Sequence, residues 1–182
     1  MKHLAVVIDW YGPYTSSEEA IAAAKSDYNQ GLYVGIGKRR YEHGSSKPQY
    51  IGLSKNLANR LESHQKLPEI TREIKLWLGE VATPEPSGSK NKKTTATLDY
   101  AEWLHAYFLQ LPLNEKKKVS PPPRPLTVLN RWWKKDYVTP WVRRPHPLWP
   151  DLIDYIDPDL PAKVVWFGKK QIRVKPPFML TD

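Results

Sequence analysis

The chain has 182 residues, no cysteine, a composition that is 40% hydrophobic and 12% aromatic, and a formal net charge of +9. That is enough apolar material for a core, which excludes wholesale disorder, and no run approaches the ~18–20 apolar residues of a membrane-crossing helix. The missing thiols remove disulfides, thiolate metal sites and cysteine nucleophiles.

The opening MKHLAVVIDW lacks a small-residue cleavage site, so no secretory signal is expected and the cysteine-free chain fits a cytoplasmic setting. Charge is unevenly spread. Residues 1–114 sum to +2 and residues 115–182 to +7, and the second stretch also holds Trp132, Trp133, Trp141, Trp149 and Trp166. Cations attract phosphate and aromatic faces stack on bases, so this stretch points to nucleic acid. A soluble surface over a tryptophan-anchored core is the competing reading.

In chain order, Leu4–Trp10 reads as a buried strand, and Gly12-Pro13 turns the chain. Ser16 and Glu19 have the spacing of a capping box before an alanine-rich helix that runs to about Tyr28. Gly31–Lys38 and Gln49–Leu53 read as a β-hairpin with a long connection, and a short helix is expected from Asn56 to about Gln65. Ile74–Ala82 alternates as a third strand, Thr83–Lys93 reads as a loop, and Thr95 to about Gln110 as a helix ended by Pro112. A lysine- and proline-rich linker follows, then a segment whose clear element is a hairpin, Lys163–Phe167 with Gln171–Lys175. Pro121–Pro125 also has the composition of a polyproline ligand, although a linker is the simpler reading.

Within this frame, Gly31-Leu32-Tyr33 on the first hairpin strand is answered by Tyr50-Ile51-Gly52 on the second. Arg60 follows ten residues after Tyr50, and His64 four further on. Glu102 lies in the later helix and Asn114 twelve residues beyond it. This ordered set, over about residues 31–114, resembles the GIY-YIG nuclease superfamily. The resemblance implies an α/β (α+β) fold: a small, mostly antiparallel three-stranded sheet flanked by helices. An N-terminal strand–helix extension (1–29) would precede the nuclease module (30–115). A proline-rich linker (116–125) and a basic, tryptophan-rich segment (126–182) would follow it.

The resemblance also implies a metal-dependent DNA endonuclease, with Mg²⁺ or Mn²⁺ as cofactor. Tyr33 would be general base, Tyr50 a second hydroxyl orienting water or phosphate, and Arg60 a transition-state stabiliser. Glu102 would be the metal ligand, and Asn114 would fix the loop after the helix. His64 would assist or replace Tyr33 as proton acceptor, or cap its helix. The chemistry is consistent with these types. Guanidinium matches phosphate oxygens, carboxylate suits a hard divalent cation, and a phenol near pKa 10 needs a nearby cation to act as base.

Three departures stand out: a long hairpin connection, Leu53 where some relatives carry lysine (Lys55 being the nearest substitute), and the extra N-terminal elements. Lys55, Arg39, Arg40, Lys169, Lys170 and Arg173 are the main candidate phosphate contacts. Lys38, His43, Arg131, Lys134, Lys135, Arg143, Arg144 and Lys175 are further ones. A Glu102/His105 pair at metal-ligand spacing is read as packing. Alternatives are a catalytically weak nucleic-acid-binding protein or an RNA nuclease, and oligomeric state is open.

Overall fold

In a computed structural model, the described residues are 3–83 and 95–174; most of the loop expected at Thr83–Lys93, and Lys175, lie outside them. The chain forms β1 (Leu4–Tyr14), α1 (Ser17–Asp27), β2 (Gly31–Arg39), β3 (Lys47–Ser54), α2 (Leu57–Glu62) and β4 (Ile70–Val81). Then come α3 (Thr95–Leu109), β5 (Leu126–Trp133), β6 (Leu152–Tyr155), β7 (Ala162–Trp166) and β8 (Lys170–Val174). Local chemistry explains the starts of the first two helices. The Ser16 hydroxyl accepts the Glu19 amide at 3.1 Å, and the Asn56 side chain accepts the Asn59 amide at 3.1 Å.

The expectation of a small three-stranded sheet with appended extensions is corrected. All eight strands join one mixed sheet in the order β3-β2-β4-β1-β5-β6-β7-β8. The three expected strands do pair with one another, antiparallel, with β2 between β3 and β4. They are one end of a larger object. β1 pairs antiparallel with β4 and parallel with β5, from Leu4↔Leu126 to Tyr11↔Trp133. That parallel pairing carries the sheet through the segments the sequence set apart.

Period-2 alternation assigns each strand's residues to two cores. Leu32, Val34, Ile36, Ile51 and Trp77 face the core built with α3, together with Val6, Ile8, Trp10, Leu126, Val128 and Trp132. Tyr33, Tyr50, Leu76 and Leu78 face the other core, with Ala20 and Ala24 of α1 and Leu57 and Leu61 of α2. The sheet is therefore covered on opposite faces by α3 and by the α1/α2 pair.

The later tryptophans help to fasten the two halves together. Trp132 and Trp149 are buried beside Trp10, which stacks on Trp132 at 6.1 Å between ring centroids and meets Trp149 edge-on at 6.0 Å. Opposite Trp10 stands Gly79, where an added Cβ would lie 2.6 Å from the indole, so the sheet makes room for the ring. Asn130 is the polar centre of this cluster. Its side chain accepts the Trp10 indole N–H at 2.8 Å and donates to the Pro150 carbonyl at 3.0 Å. It also donates to His105 Nε2 at 3.0 Å, because His105 Nδ1–H is spent on the Ala101 carbonyl at 2.7 Å. His105 stacks on Trp149 at 5.1 Å, which confirms it as a packed side chain.

Candidate active site

Tyr33 and Tyr50 emerge on the α1/α2 face because they share strand parity: Tyr33 is paired with Gly52 and Gly35 with Tyr50. Their rings stack at 5.8 Å, and the His64 ring stands edge-on to both, at 5.3 and 4.9 Å. α2 begins three residues after the hairpin and returns Arg60 and His64 to the phenols. Arg60 Nε–H donates to the Tyr33 oxygen at 3.1 Å, and His64 Nε2 lies 2.9 Å from the same oxygen.

The His64 tautomer follows from its other nitrogen. Nδ1 accepts the backbone amides of Lys66 at 3.0 Å and Leu67 at 2.9 Å, so it carries no proton. The ring proton is therefore on Nε2 and is donated to Tyr33. Burial, reinforced by the Arg60 charge, lowers the His64 pKa to about 4, which keeps the ring neutral. His64 has no free lone pair, so the expectation that it could replace Tyr33 as proton acceptor is corrected. It acts as a donor.

Tyr33 thus receives two N–H bonds, both of which favour its phenolate. Burial opposes them, aided by neighbouring Tyr50, and the net direction is upward from the usual phenol value. Without further positive charge Tyr33 stays protonated. Arg60 is held charged by the two phenols, Tyr33 first, and the residue remains exposed.

Glu102 arrives from α3, which packs against the edge strand β3. Its carboxylate is largely buried, and burial raises its pKa despite an ion pair with Lys117. Arg60 acts on Glu102 through space, as the least of its charged influences. Tyr33, Arg60 and His64 are therefore in direct contact, with Tyr50 against the Tyr33 and His64 rings, whereas Glu102 bonds Lys117 and is reached only by the through-space influence of Arg60.

Asn114 holds the edge strand. Its side chain accepts the Ile51 amide at 2.9 Å and donates to the Ile51 carbonyl at 2.8 Å, as a neighbouring strand would. Leu113 N–H adds a bond to the Gln49 carbonyl at 2.9 Å. Asn114 thus fixes the segment after α3 against the strand that carries Tyr50.

No group of three or more His, Asp or Glu side chains is gathered among the described residues. The Glu102 carboxylate, with Asp99 one turn away on α3, still fits a hard divalent cation, which keeps several water ligands and uses few protein oxygens. The burial cost on Glu102 is the kind of cost a cation relieves.

Lys55, which follows β3, and Arg39 and Arg40, at the opposite end of the β2–β3 hairpin, are exposed, as are Lys169, Lys170 and Arg173 on the last hairpin. β2 and β8 are six strand steps apart. Lys38, Arg131, Lys135 and Arg144 are engaged in ion pairs with Glu73, Asp9, Glu19 and Asp151. The sequence missed Lys117, and it missed the Lys66 and Leu67 amides, whose role no side chain announces.

These features define a protein built on one eight-stranded mixed sheet, with a phenol, guanidinium and imidazole in contact on its α1/α2 face and a buried carboxylate on α3. No family model, curated protein or solved structure matches the chain. No described helix is long and apolar enough to cross a membrane.

Proposed function

We propose that this chain is a divalent-metal-dependent endonuclease of GIY-YIG type that hydrolyses phosphodiester bonds in DNA in the cytoplasm. The observation that carries the reading is the Tyr33 oxygen, on which Arg60 and His64 both converge as donors. Two donors on one phenol beside an exposed guanidinium fit the stabilisation of a phenolate that activates a water.

Bound at Glu102, Mg²⁺ or Mn²⁺ would supply the positive charge that lowers the barrier to phosphate attack and favours the Tyr33 phenolate. The chain's own groups do the rest. As phenolate, Tyr33 keeps its bonds from Arg60 and His64 and accepts the proton of an attacking water, which must reach its buried oxygen past Tyr50. Tyr50, stacked beside it, orients that water or the phosphate. Arg60 presents its remaining N–H groups to the phosphate oxygens, where charge grows in the transition state. His64 holds the phenol in place. Lys55 would contact the backbone near the cut, and Arg39, Arg40, Lys169, Lys170 and Arg173 further away.

The second reading, a nucleic-acid-binding protein with weak catalysis, is favoured by one observation: Lys117 already neutralises Glu102. The discriminating experiment incubates purified protein with matched single- and double-stranded DNA and RNA in Mg²⁺, with and without chelator, and maps the ends. Chelator-sensitive DNA cuts with 5′-phosphate and 3′-hydroxyl ends support the nuclease. RNA cutting alone reassigns the substrate. Binding of either nucleic acid without turnover in Mg²⁺ or Mn²⁺ favours the second reading.

A further inference from the structure

On the reading that Glu102 is the metal ligand, we propose that Lys117 is a resident cation that a divalent metal must displace, so the chain sets its own metal threshold. The Lys117 ammonium is held by the Glu102 carboxylate and by Asp99, whose Oδ1 lies 2.7 Å away and whose carbonyl lies at 3.5 Å. It occupies an all-oxygen setting of the sort that a hard cation prefers. Asp99 and Glu102 are one helical turn apart on α3, so the ammonium bridges a single helix face.

The placement is enforced by backbone. Lys117 has φ 63°, a left-handed conformation that is unfavourable for a residue with a side chain. The chain just after it is tied down. Gln110 Nε2 donates to the Lys118 carbonyl at 3.1 Å, Lys118 Nζ donates to the Leu111 carbonyl at 2.9 Å, and the Trp103 indole donates to the Ser120 carbonyl at 2.8 Å. That conformation accompanies an ammonium that lies over two carboxylates.

The Lys117 ammonium sits on Glu102 Oε2, and a divalent ion at contact distance from that same oxygen would be repelled by its charge, so metal binding there releases the side chain. The released side chain leaves Glu102 to the metal. Lys117 therefore covers Glu102 in the resting protein and raises the metal concentration needed for loading. Arg60, the other cation that acts on Glu102, makes no direct bond to it and is not displaced.

The test is Mn²⁺ titration of the full chain, reading free Mn²⁺ by its electron paramagnetic resonance signal. Wild type is compared with Lys117→Met, Lys117→Gly and each of these combined with Glu102→Gln. The glycine variant suits the left-handed backbone, so a loss of fold in the methionine variant does not end the test. Both lysine variants are expected to bind one Mn²⁺ about tenfold tighter than wild type or better, and Glu102→Gln to remove that gain.

Unchanged or weaker binding, binding that tightens irrespective of Glu102, or no site in any variant overturns the proposal. Tightening without cleavage of any nucleic acid would sink the nuclease reading and leave the competition standing. Cleavage with the same metal dependence in wild type and both lysine variants would do the reverse.

Discussion

Gly52 stands directly opposite Tyr33 in the β2–β3 pairing, and the phenol fills the space a side chain at position 52 would need. An added Cβ would lie 2.4 Å from the Tyr33 hydroxyl and 2.5 Å from the ring carbon that bears it. Arg60 and His64 hold the same hydroxyl from the other side, so it cannot simply move away. Gly52→Ala is expected to cost about 1–3 kcal/mol of stability. It should also lower cleavage by roughly 10²-fold as the water-holding group shifts. Denaturation midpoints and single-turnover rates check this, and a variant with wild-type rate and stability would show that the Tyr33 position is not critical.

His64 offers a sharper test of chemistry. Its Nδ1 is occupied by two amides and its pKa is lowered to about 4 by burial, so the ring stays neutral from pH 5 upward. The cleavage profile of the wild type should therefore show no inflection near 6.5. His64→Phe, which removes the donor to Tyr33, should slow cleavage by about tenfold or more without moving the acid side of the profile. An acid limb near 6.5 that vanishes in this variant would make His64 a base after all.

Asn114 acts on the edge of the sheet. Removing its amide leaves the Ile51 N–H and carbonyl without their partners. Asn114→Ala is expected to destabilise the protein by about 1–3 kcal/mol. The part that remains folded should cut at close to the wild-type rate. A large rate loss with unchanged stability would place Asn114 in the chemistry instead.

Much of the first half was legible because its signals are local. Ser16 and Glu19 mark a helix start, Leu4–Trp10 is apolar but for Asp9, and the Tyr33/Tyr50 hairpin is closed by neighbouring chain. The eight-stranded sheet was not, because its joint is the parallel pairing of β1 with β5, between residues more than 120 positions apart. β5 does alternate inward at Leu126, Val128, Asn130 and Trp132, yet Asn130 interrupts the apolar series and prolines precede it. β6 has four residues, too few for a period to show.

At the site, the order of the motif residues was readable but their protonation was not. The His64 tautomer is set by backbone amides, which have no sequence signature. Lys117 was hidden within a run of three lysines that resembles a solvated linker. Their side chains diverge, Lys117 to the carboxylates and Lys118 to the Leu111 carbonyl.

Stability should depend on pH through His105. Burial lowers its pKa to about 4, while in the unfolded chain it titrates near 6.5. Between those values the unfolded state binds the extra proton, so stability rises with pH. The contribution is complete above about 6.5 and is lost as pH falls towards 4. The loss is on the order of 3 kcal/mol, and His64 adds in the same direction. Urea unfolding at pH 7 and pH 4.5, in wild type and His105→Gln, reads this out. A pH dependence unaltered by the substitution would remove His105 from the account.

The most direct measurement is single-turnover cleavage of duplex DNA by wild type, Arg60→Ala and Glu102→Ala in Mn²⁺, with DNA affinity measured alongside. Both variants are expected to lose ~10²-fold or more in rate while remaining folded and keeping most of their DNA binding. Cutting by either variant at the wild-type rate would contradict the assignment of these groups to phosphodiester hydrolysis.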